Sequence, residues 1–233
     1  MLNGKLRFAA LLPMKAHSER VPGKNFRMLG GKPLFRWMLD KLLSLPEVDC
    51  VVINTDARSA LEPSGLGEDG RLIIRDRAAE LCGDRVSMNL IIGDDMRGVP
   101  ADAYLMTHTT NPLLGTATIR AAIGEFLDGL STGRHDSLFS VNRHQTRFYR
   151  ADGSPVNHDP DTLARTQDLE LWFEENSNLY LFTPQSFAET QSRIGRHPRL
   201  FATPKLESID IDTGDDWLLA EALVKTGTGG EAR

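Results

Sequence analysis

The sequence predicts an α/β domain with a mostly parallel sheet covered by helices on both faces. Short apolar runs at 6–12, 50–53, 72–74, 103–107 and 137–141 alternate with longer stretches of helical periodicity. The first of these runs is apolar almost throughout, as in a strand buried on both sides. Two of the runs end in polar clusters, Asn54-Thr55-Asp56 and His108-Thr109-Thr110-Asn111-Pro112. Ligands of such sheets sit beyond the carboxyl ends of the strands, so the loops after Leu12, Ile53, Ile74 and Thr107 share one rim.

Composition sets the class. A chain of 233 residues, 40% apolar and 25% charged, is expected to form a single domain over 1–233. The formal charge of −5 excludes a general nucleic-acid binder while allowing a local basic pocket. Cys50 and Cys82 are the only cysteines, and Cys50 lies in an apolar run as a small hydrophobe, which points to a reducing cytoplasm. The start, MLNGKLRFAALLPMKA, imitates a signal peptide only faintly, because Pro13 and Lys15 interrupt its apolar core. No later run is long enough to span a bilayer.

In chain order, the 6–12 strand stops at Pro13 and enters a loop, 11–32, that holds Lys15, His17, Arg20, Lys24, Arg27 and Lys32 with Gly23, Gly30 and Gly31 among them. Glycine lets backbone N–H groups approach an anion and the cations neutralise it, so the loop suits a polyphosphate, although Walker and GxGxxG spacings are absent. Pro33 fits the first turn of a helix whose apolar stripe is Leu34, Phe35, Met38, Leu39, Leu42 and Leu43. Pro46 closes it. Strands at 50–53 and 72–74 flank a turn-rich segment, 62–70. A polar loop, 75–89, carries Arg75, Arg77 and Arg85, and a helix runs from about Ser87 to Asp95. After the 103–107 strand, Thr116 caps a helix with Ile119, Ala122, Ile123, Phe126, Leu127 and Leu130 inward.

From 142 to 175 the pattern changes to short polar segments, with Asp152-Gly153 as a turn between Tyr149 and Val156. This predicts a hairpin excursion from the main sheet. Strands at 178–182 and 208–212 follow, then a helix marked by Trp217, Leu218, Leu219, Ala222 and Leu223, and a frayed tail over 225–233. In Ser208-Ile-Asp-Ile-Asp-Thr-Gly214, strand alternation places Ile209 and Ile211 on one side and Asp210 and Asp212 on the other, roughly 6–7 Å apart. Two such carboxylates can converge on Mg²⁺, which favours few carboxylates plus phosphates and water. The competing reading is that Asp212 or Thr213 caps the last helix while Asp210 is solvated.

The loop M-K-A-H-S-E-R-V-P-G-K-N (14–25), the following L-G-G-K-P-L (29–34), RDRAAELCGD (75–84), TTNPLL (109–114), RTQDLELWFEENSNLY (165–180) and SIDIDT (208–213) occur in that order. Together they resemble the acylneuraminate cytidylyltransferases, the CMP-sialic acid synthetases and their relatives acting on other nonulosonic acids. The resemblance implies a Rossmann-like fold with 142–175 as a dimerisation excursion, hence a homodimer. It also implies CTP, a small acidic sugar, Mg²⁺ as cofactor and pyrophosphate as product.

Carried over by position, the resemblance makes Lys24 and Lys15 catalytic. Pro13, Met14, Lys15, Ser18, Lys24, Asn25, Arg77, Ser87 and Met88 would bind nucleotide, with Lys24 on the α-phosphate. His108, Thr109, Thr110, Arg165, Gln167 and Asn176 would bind the sugar, and Asp210 and Asp212 the metal. The chain departs from the pattern at Lys15, where an Arg is usual, at Glu19, where a Lys is common, and at His108, where sialic-acid enzymes place a Gln. A lysine offers a point charge where arginine offers a fork. No residue is marked as a general base. The alternatives are the same chemistry on a 3-deoxy or 8-amino keto sugar, a degenerate nucleotide-binding regulator and an Asp-x-Asp glycosyltransferase.

Overall fold

Period-two alternation along the first apolar run decides the layering. In the computed structural model, which describes residues 6–227 apart from 17, 19, 62–65, 67, 68, 84 and 163, that run is β1 (Phe8–Leu11). Phe8 and Ala10 face one layer, Ala9 and Leu11 the other. The expectations for Glu19, for most of the 62–70 turn and for the end of the tail lie outside the described residues.

A short hairpin, β2 (Met28–Leu29) and β3 (Lys32–Pro33), follows, then α1 (Leu34–Ser44) and β4 (Cys50–Thr55). A single turn, α2 (Arg58–Leu61), leads towards β5 (Leu72–Asp76), α3 (Met88–Gly98) and β6 (Ala103–Met106). The rest of the order is α4 (Thr116–Ser131), β7 (Ser137–His144), β8 (Trp172–Phe182), α5 (Pro184–Thr190), β9 (Pro198–Ala202) and α6 (Gly214–Lys225). The main sheet has seven strands in the order β5-β4-β1-β6-β8-β7-β9. β8 alone runs against the others, pairing antiparallel with β6 and β7, while every other pair is parallel. The mostly parallel sheet of the sequence reading is therefore present.

One face of the sheet packs on α1 and α4 through Phe35, Met38, Leu39, Ile119 and Phe126. The other packs on α3 and α5 through Ile92 and Phe187, against Leu11, Val52, Tyr104, Tyr180 and Phe182. A third cluster, Val21, Leu29, Leu34, Ile211, Trp217 and Ala220, lies against α6 and supports the basic loop. Burying side chains of this size stabilises the fold by about 1.5–3 kcal/mol each. Lys41 on α1 is buried, and its ammonium donates to the carbonyls of Pro112 (2.7 Å) and Leu114 (2.8 Å), which fixes the loop after β6 to the helix layer.

Two expectations are corrected. Thr116 is not a cap: the N-cap of α4 is Gly115, whose N–H donates to Glu207 Oε2 (2.7 Å), so a distant carboxylate supplies the anion that a helix start attracts. Residues 208–212 form no strand. They make no ladder and are held beside the loop after β6 by Ile211 N–H to the Thr110 carbonyl (2.9 Å). The 142–175 excursion starts as a two-stranded continuation of the sheet: β7 runs on to His144 and β8 starts at Trp172, while the pairing of β7 with β9 ends at Val141. Leu169, on the excursion, is buried. β9 and α5 were not foreseen.

The tip of the excursion turns where Asp152-Gly153 predicts: Gly153 N–H donates to the Arg150 carbonyl, and Tyr149 bridges to Pro155. Phe148 stacks on Trp172, and Tyr149, Leu171, Trp172 and Phe173 stay exposed.

The β2–β3 hairpin turns through Gly30, which has φ of +54°, and a Cβ there would lie 2.3 Å from Val224 of α6. Gly30→Ala is expected to lower stability by about 1–3 kcal/mol, since it combines a left-handed backbone with a clash. Denaturant unfolding checks it, and a wild-type midpoint would show that the hairpin does not dock on α6.

Candidate active site

The strand ends and the basic loop enclose a cleft of about 350 Å³. The loop contributes Pro13, Met14, Lys15, Ser18, Arg20, Lys24 and Asn25. Arg77 comes from beyond β5, Met88 from the start of α3, His108, Thr109 and Thr110 from beyond β6, and Asp212 from the segment before α6. Gly23, with φ of +64°, turns the loop into a short 3₁₀ turn, Lys24–Phe26, that aims Lys24 inward.

Asn25 ties the loop down. It is buried, its Nδ2 donates to the Lys15 carbonyl (2.8 Å), and its Oδ1 accepts from the Thr109 hydroxyl (2.7 Å). Lys24 is largely buried, with Nζ donating to the Ile211 carbonyl (2.5 Å) and 3.2 Å from Asp212 Oδ1. Arg20 reaches the other oxygen of Asp212 (3.1 Å). The cap of α6 is Thr213, in a capping box with Asp216, so Asp212 is not spent on capping.

Arg77 is braced from below. Its Nε donates to Asn54 Oδ1 (2.9 Å) and its Nη2 to the carbonyls of Asn54 (2.8 Å) and Met14 (3.1 Å). Asn54 is buried and donates in turn to Asp95 (2.7 Å). Burial pushes the Asp95 carboxyl up to about 6, against the pull of Asn54 and Arg75. His108 is half-buried and falls to about 4, because burial and the nearby Arg193 and Lys24 cations disfavour its charged form. The imidazole is neutral at working pH, with one ring nitrogen to donate and one to accept.

The donor set before α6 suits a hard divalent cation. Asp210 is held by Thr110, burial raises its carboxyl above the usual range, and its Oδ1 is buried with no hydrogen-bond partner. An orphaned carboxylate oxygen beside a half-exposed Asp212 fits Mg²⁺, which takes oxygen ligands. Among the described residues no group of three or more acidic, His or Cys side chains is placed to hold a metal ion, so these two carboxylates alone would not complete a shell.

Thus Pro13, Met14, Lys15, Ser18, Lys24, Asn25, Arg77, Met88, His108, Thr109, Thr110 and Asp212 come together as the sequence predicts. Ser87 does not line the cleft; it caps α3, accepting from Asn89 N–H (3.3 Å). Arg165 and Gln167 sit on the excursion, where Arg165 pairs with Asp168 (2.8 Å) and the Gln167 carbonyl accepts from Gln145. Asn176 is buried in a polar node with Thr203 (2.6 Å) and Asn142 (3.0 Å). Arg20 and Asn54 were absent from the predicted set. Position within the basic loop marks the first, and the polar end of β4 marks the second.

A parallel sheet whose strand ends converge with a cationic loop on one cleft defines a nucleotide-binding α/β protein. The chain belongs to the cytidylyltransferase family, whose profile matches residues 9–210. It is 27% identical over 232 residues to a CMP-N,N'-diacetyllegionaminic acid synthase of Legionella pneumophila, covering 94% of this chain and 97% of that one. It is 24% identical to a pseudaminic acid cytidylyltransferase of Campylobacter jejuni, covering 92% and 95%. Against an N-acylneuraminate cytidylyltransferase of Oncorhynchus mykiss it is 28% identical, and the match spans 51% of that longer chain. The fold is shared with a solved CMP:2-keto-3-deoxy-manno-octonic acid synthetase complexed with CTP, at a TM-score of 0.65 and 15% identity, covering 95% of this chain and 99% of that one.

His108 has a signature in acid. The unfolded imidazole titrates near 6.5 and the folded one near 4, so stability is complete above 6.5 and is lost as pH falls towards 4. His108→Asn is expected to flatten that part of the acid-unfolding curve. An identical slope in both proteins would show that the imidazole is not shielded.

Proposed function

We propose that the chain activates a nonulosonic, sialic-acid-like sugar acid with CTP, releasing the CMP-sugar and pyrophosphate. The observation that carries this is the convergence of Lys15, Arg20, Lys24 and Arg77 on the cleft of a cytidylyltransferase fold. Relatives matched over almost their whole length bear legionaminic and pseudaminic acid names, which supports the acceptor class.

A sugar hydroxyl attacks the α-phosphorus, an O–P bond forms, and the bond to pyrophosphate breaks. Negative charge spreads over the phosphoryl oxygens, so fixed cations and positioning supply most of the acceleration. Lys24 exchanges its Asp212 contact for the α-phosphoryl oxygens. Lys15 and Arg20 take the rest of the triphosphate, while Arg77 and Met88 frame the base. Neutral His108, with Thr109 and Thr110, faces the acceptor hydroxyls. Asp210 and Asp212 would hold Mg²⁺, which neutralises phosphate charge and polarises the phosphoryl oxygens.

We also assign the chain to a homodimer through the exposed aromatic surface of the excursion, which would carry Arg165 and Gln167 towards a second copy. No helix among the described residues is long and apolar enough to cross a membrane, and we place the enzyme in the cytoplasm, where its free Cys50 and Cys82 remain reduced.

The direct test is incubation with each NTP and a panel of nonulosonic and 3-deoxy sugar acids, following Mg²⁺-dependent pyrophosphate release. CTP with one acid class is expected to react, and no release with any pair overturns the reading. Lys24→Ala is expected to lower kcat by roughly 10²-fold or more while the protein stays folded, and wild-type turnover would remove Lys24 from the chemistry.

The metal reading predicts reciprocal coupling: CTP raises Mg²⁺ affinity, and Mg²⁺ raises CTP affinity by the same factor. Titration calorimetry should find that coupling weakened in Asp212→Asn with metal-free CTP binding retained. Unchanged coupling in both Asp210→Asn and Asp212→Asn would refute the site. Sedimentation at micromolar concentration should give a dimer mass, and Trp172→Glu with Phe173→Glu should give a monomer.

A further inference from the structure

Behind Arg77 lies a buried chain of polar groups that the chemistry of the cleft leaves unused. Asp95 is wholly buried on α3, and its Oδ1 accepts from Asn54 Nδ2 (2.7 Å) and from Arg75 Nη1 (3.1 Å). Its Oδ2 is buried with no hydrogen-bond partner. Arg75 is fixed in turn by Asp94, through the carbonyl (2.7 Å) and the carboxylate (2.8 Å). The fit is close: a Cβ on Gly98, further along α3, would lie 2.4 Å from the Arg75 guanidinium.

A carboxyl enclosed in this way costs free energy to ionise, and an apolar side chain would fill the space without that cost. What Asp95 does supply is direction. A carboxylate only accepts and a guanidinium only donates, so the amide between them has one orientation. With Nδ2 on Asp95, Asn54 turns Oδ1 to Arg77 Nε (2.9 Å); reversed, it would set like against like at both ends. Arg77 is thereby held along one edge, its Nη2 being taken by the carbonyls of Asn54 (2.8 Å) and Met14 (3.1 Å). Its Nη1 donates to no group among the described residues, and the side chain lines the cleft.

We propose that Asp95 is a positioning residue for nucleotide binding: through the Asn54 amide it fixes the Arg77 guanidinium against the base. The assignment rests on the reading in which Arg77 frames the base of CTP. Asp95 touches no substrate and acts only through Asn54.

The charges that face Asp95 are Arg75 of β5, Arg77 beyond β5 and Asp94 on its own helix, while β4 brings the neutral Asn54. Burial outweighs the two cations and lifts the carboxyl to about 6. Once protonated, Asp95 loses its charge-assisted bond to Asn54, so the grip on Arg77 weakens as pH falls through 6.

The test is titration calorimetry on the full chain with CTP and, separately, inorganic tripolyphosphate, for wild type, Asp95→Ala, Asp95→Asn and Arg75→Gln. Well above pH 6, Asp95→Ala should bind CTP about 10-fold more weakly, as on losing a hydrogen bond to a charged group. Asp95→Asn keeps a carbonyl for Asn54 and should fall between Asp95→Ala and wild type. As pH falls through 6, the wild-type affinity should drop to that of Asp95→Asn. Protonation of the nucleotide's own phosphate is common to every protein and cancels in the ratio. Arg75→Gln removes a cation that favours the ionised carboxyl, so its transition should lie at higher pH than that of wild type. Tripolyphosphate should bind each variant within about twofold of wild type, because Lys15, Arg20 and Lys24 are untouched.

Equal CTP affinity in wild type and both Asp95 variants overturns the assignment. So does an affinity ratio that stays constant through pH 6, or a parallel loss for tripolyphosphate, either being the mark of general damage. If neither Asp95 variant folds, Arg75→Gln decides alone, and an unshifted transition overturns the assignment. Should wild type bind no CTP at any pH, the proposed function fails first, an outcome distinct from bound CTP with unaltered variants.

Discussion

Asn25 donates to the Lys15 carbonyl and accepts from the Thr109 hydroxyl, and both contacts are shielded from water. Through them the two ends of the basic loop and the end of β6 become one body. The loop is otherwise a poor candidate for order, since it carries several cations and few ladder bonds. Its footing is apolar: Val21 and Leu29 lie on Trp217 and Ile211, and Ile211 is bonded back to Thr110. Removing the amide breaks the bonds to the Lys15 carbonyl and the Thr109 hydroxyl, each at a cost of about 1–3 kcal/mol. The geometry of Lys24, His108 and Asp212 follows from that clamp.

Electrostatics in the cleft is a matter of exchange. Asp212 lies between Lys24 and Arg20, so without ligand the cations and the carboxylate neutralise one another. Under the proposed function, a bound triphosphate would compete for the same ammonium and guanidinium groups and would leave the carboxylate available to a metal ion. The exchange costs little charge separation, because one anion replaces another. Asp210 is different: burial raises its carboxyl, the Thr110 side chain holds one oxygen, and Oδ1 is buried with no hydrogen-bond partner.

Legibility in the sequence followed the locality of the causes. β1, β4, α1 and α4 are written in short-range apolar patterns, and they appear where those patterns fall. The basic loop and the polar strand ends were legible too, because parallel sheets collect ligands at one rim. Thr116 misled because the anion that serves the start of α4 comes from Glu207, 92 residues away. Ile209 to Asp212 alternates like a strand, yet alternation says nothing of whether a partner edge is free. The part played by Asp95 left no trace at all, since it depends on Asn54 and Arg75 from two other elements.

The β7–β8 ribbon changes character at one place. Between Phe139 and Val141 the register slips, and Ser177 opposite takes a left-handed φ of +58°. Inside that point the pairs Ser137–Phe182 and Phe139–Tyr180 belong to the sheet; outside it, Asn142–Glu174 and His144–Trp172 form a free-standing arm. The irregularity works as a joint that separates two inheritances. Matched losses or gains of residues from both strands beyond Asn142 leave the inner register, and hence Tyr180, where it is. The arm can therefore lengthen, shorten or change its surface over evolutionary time while the chemistry of the cleft stays constant.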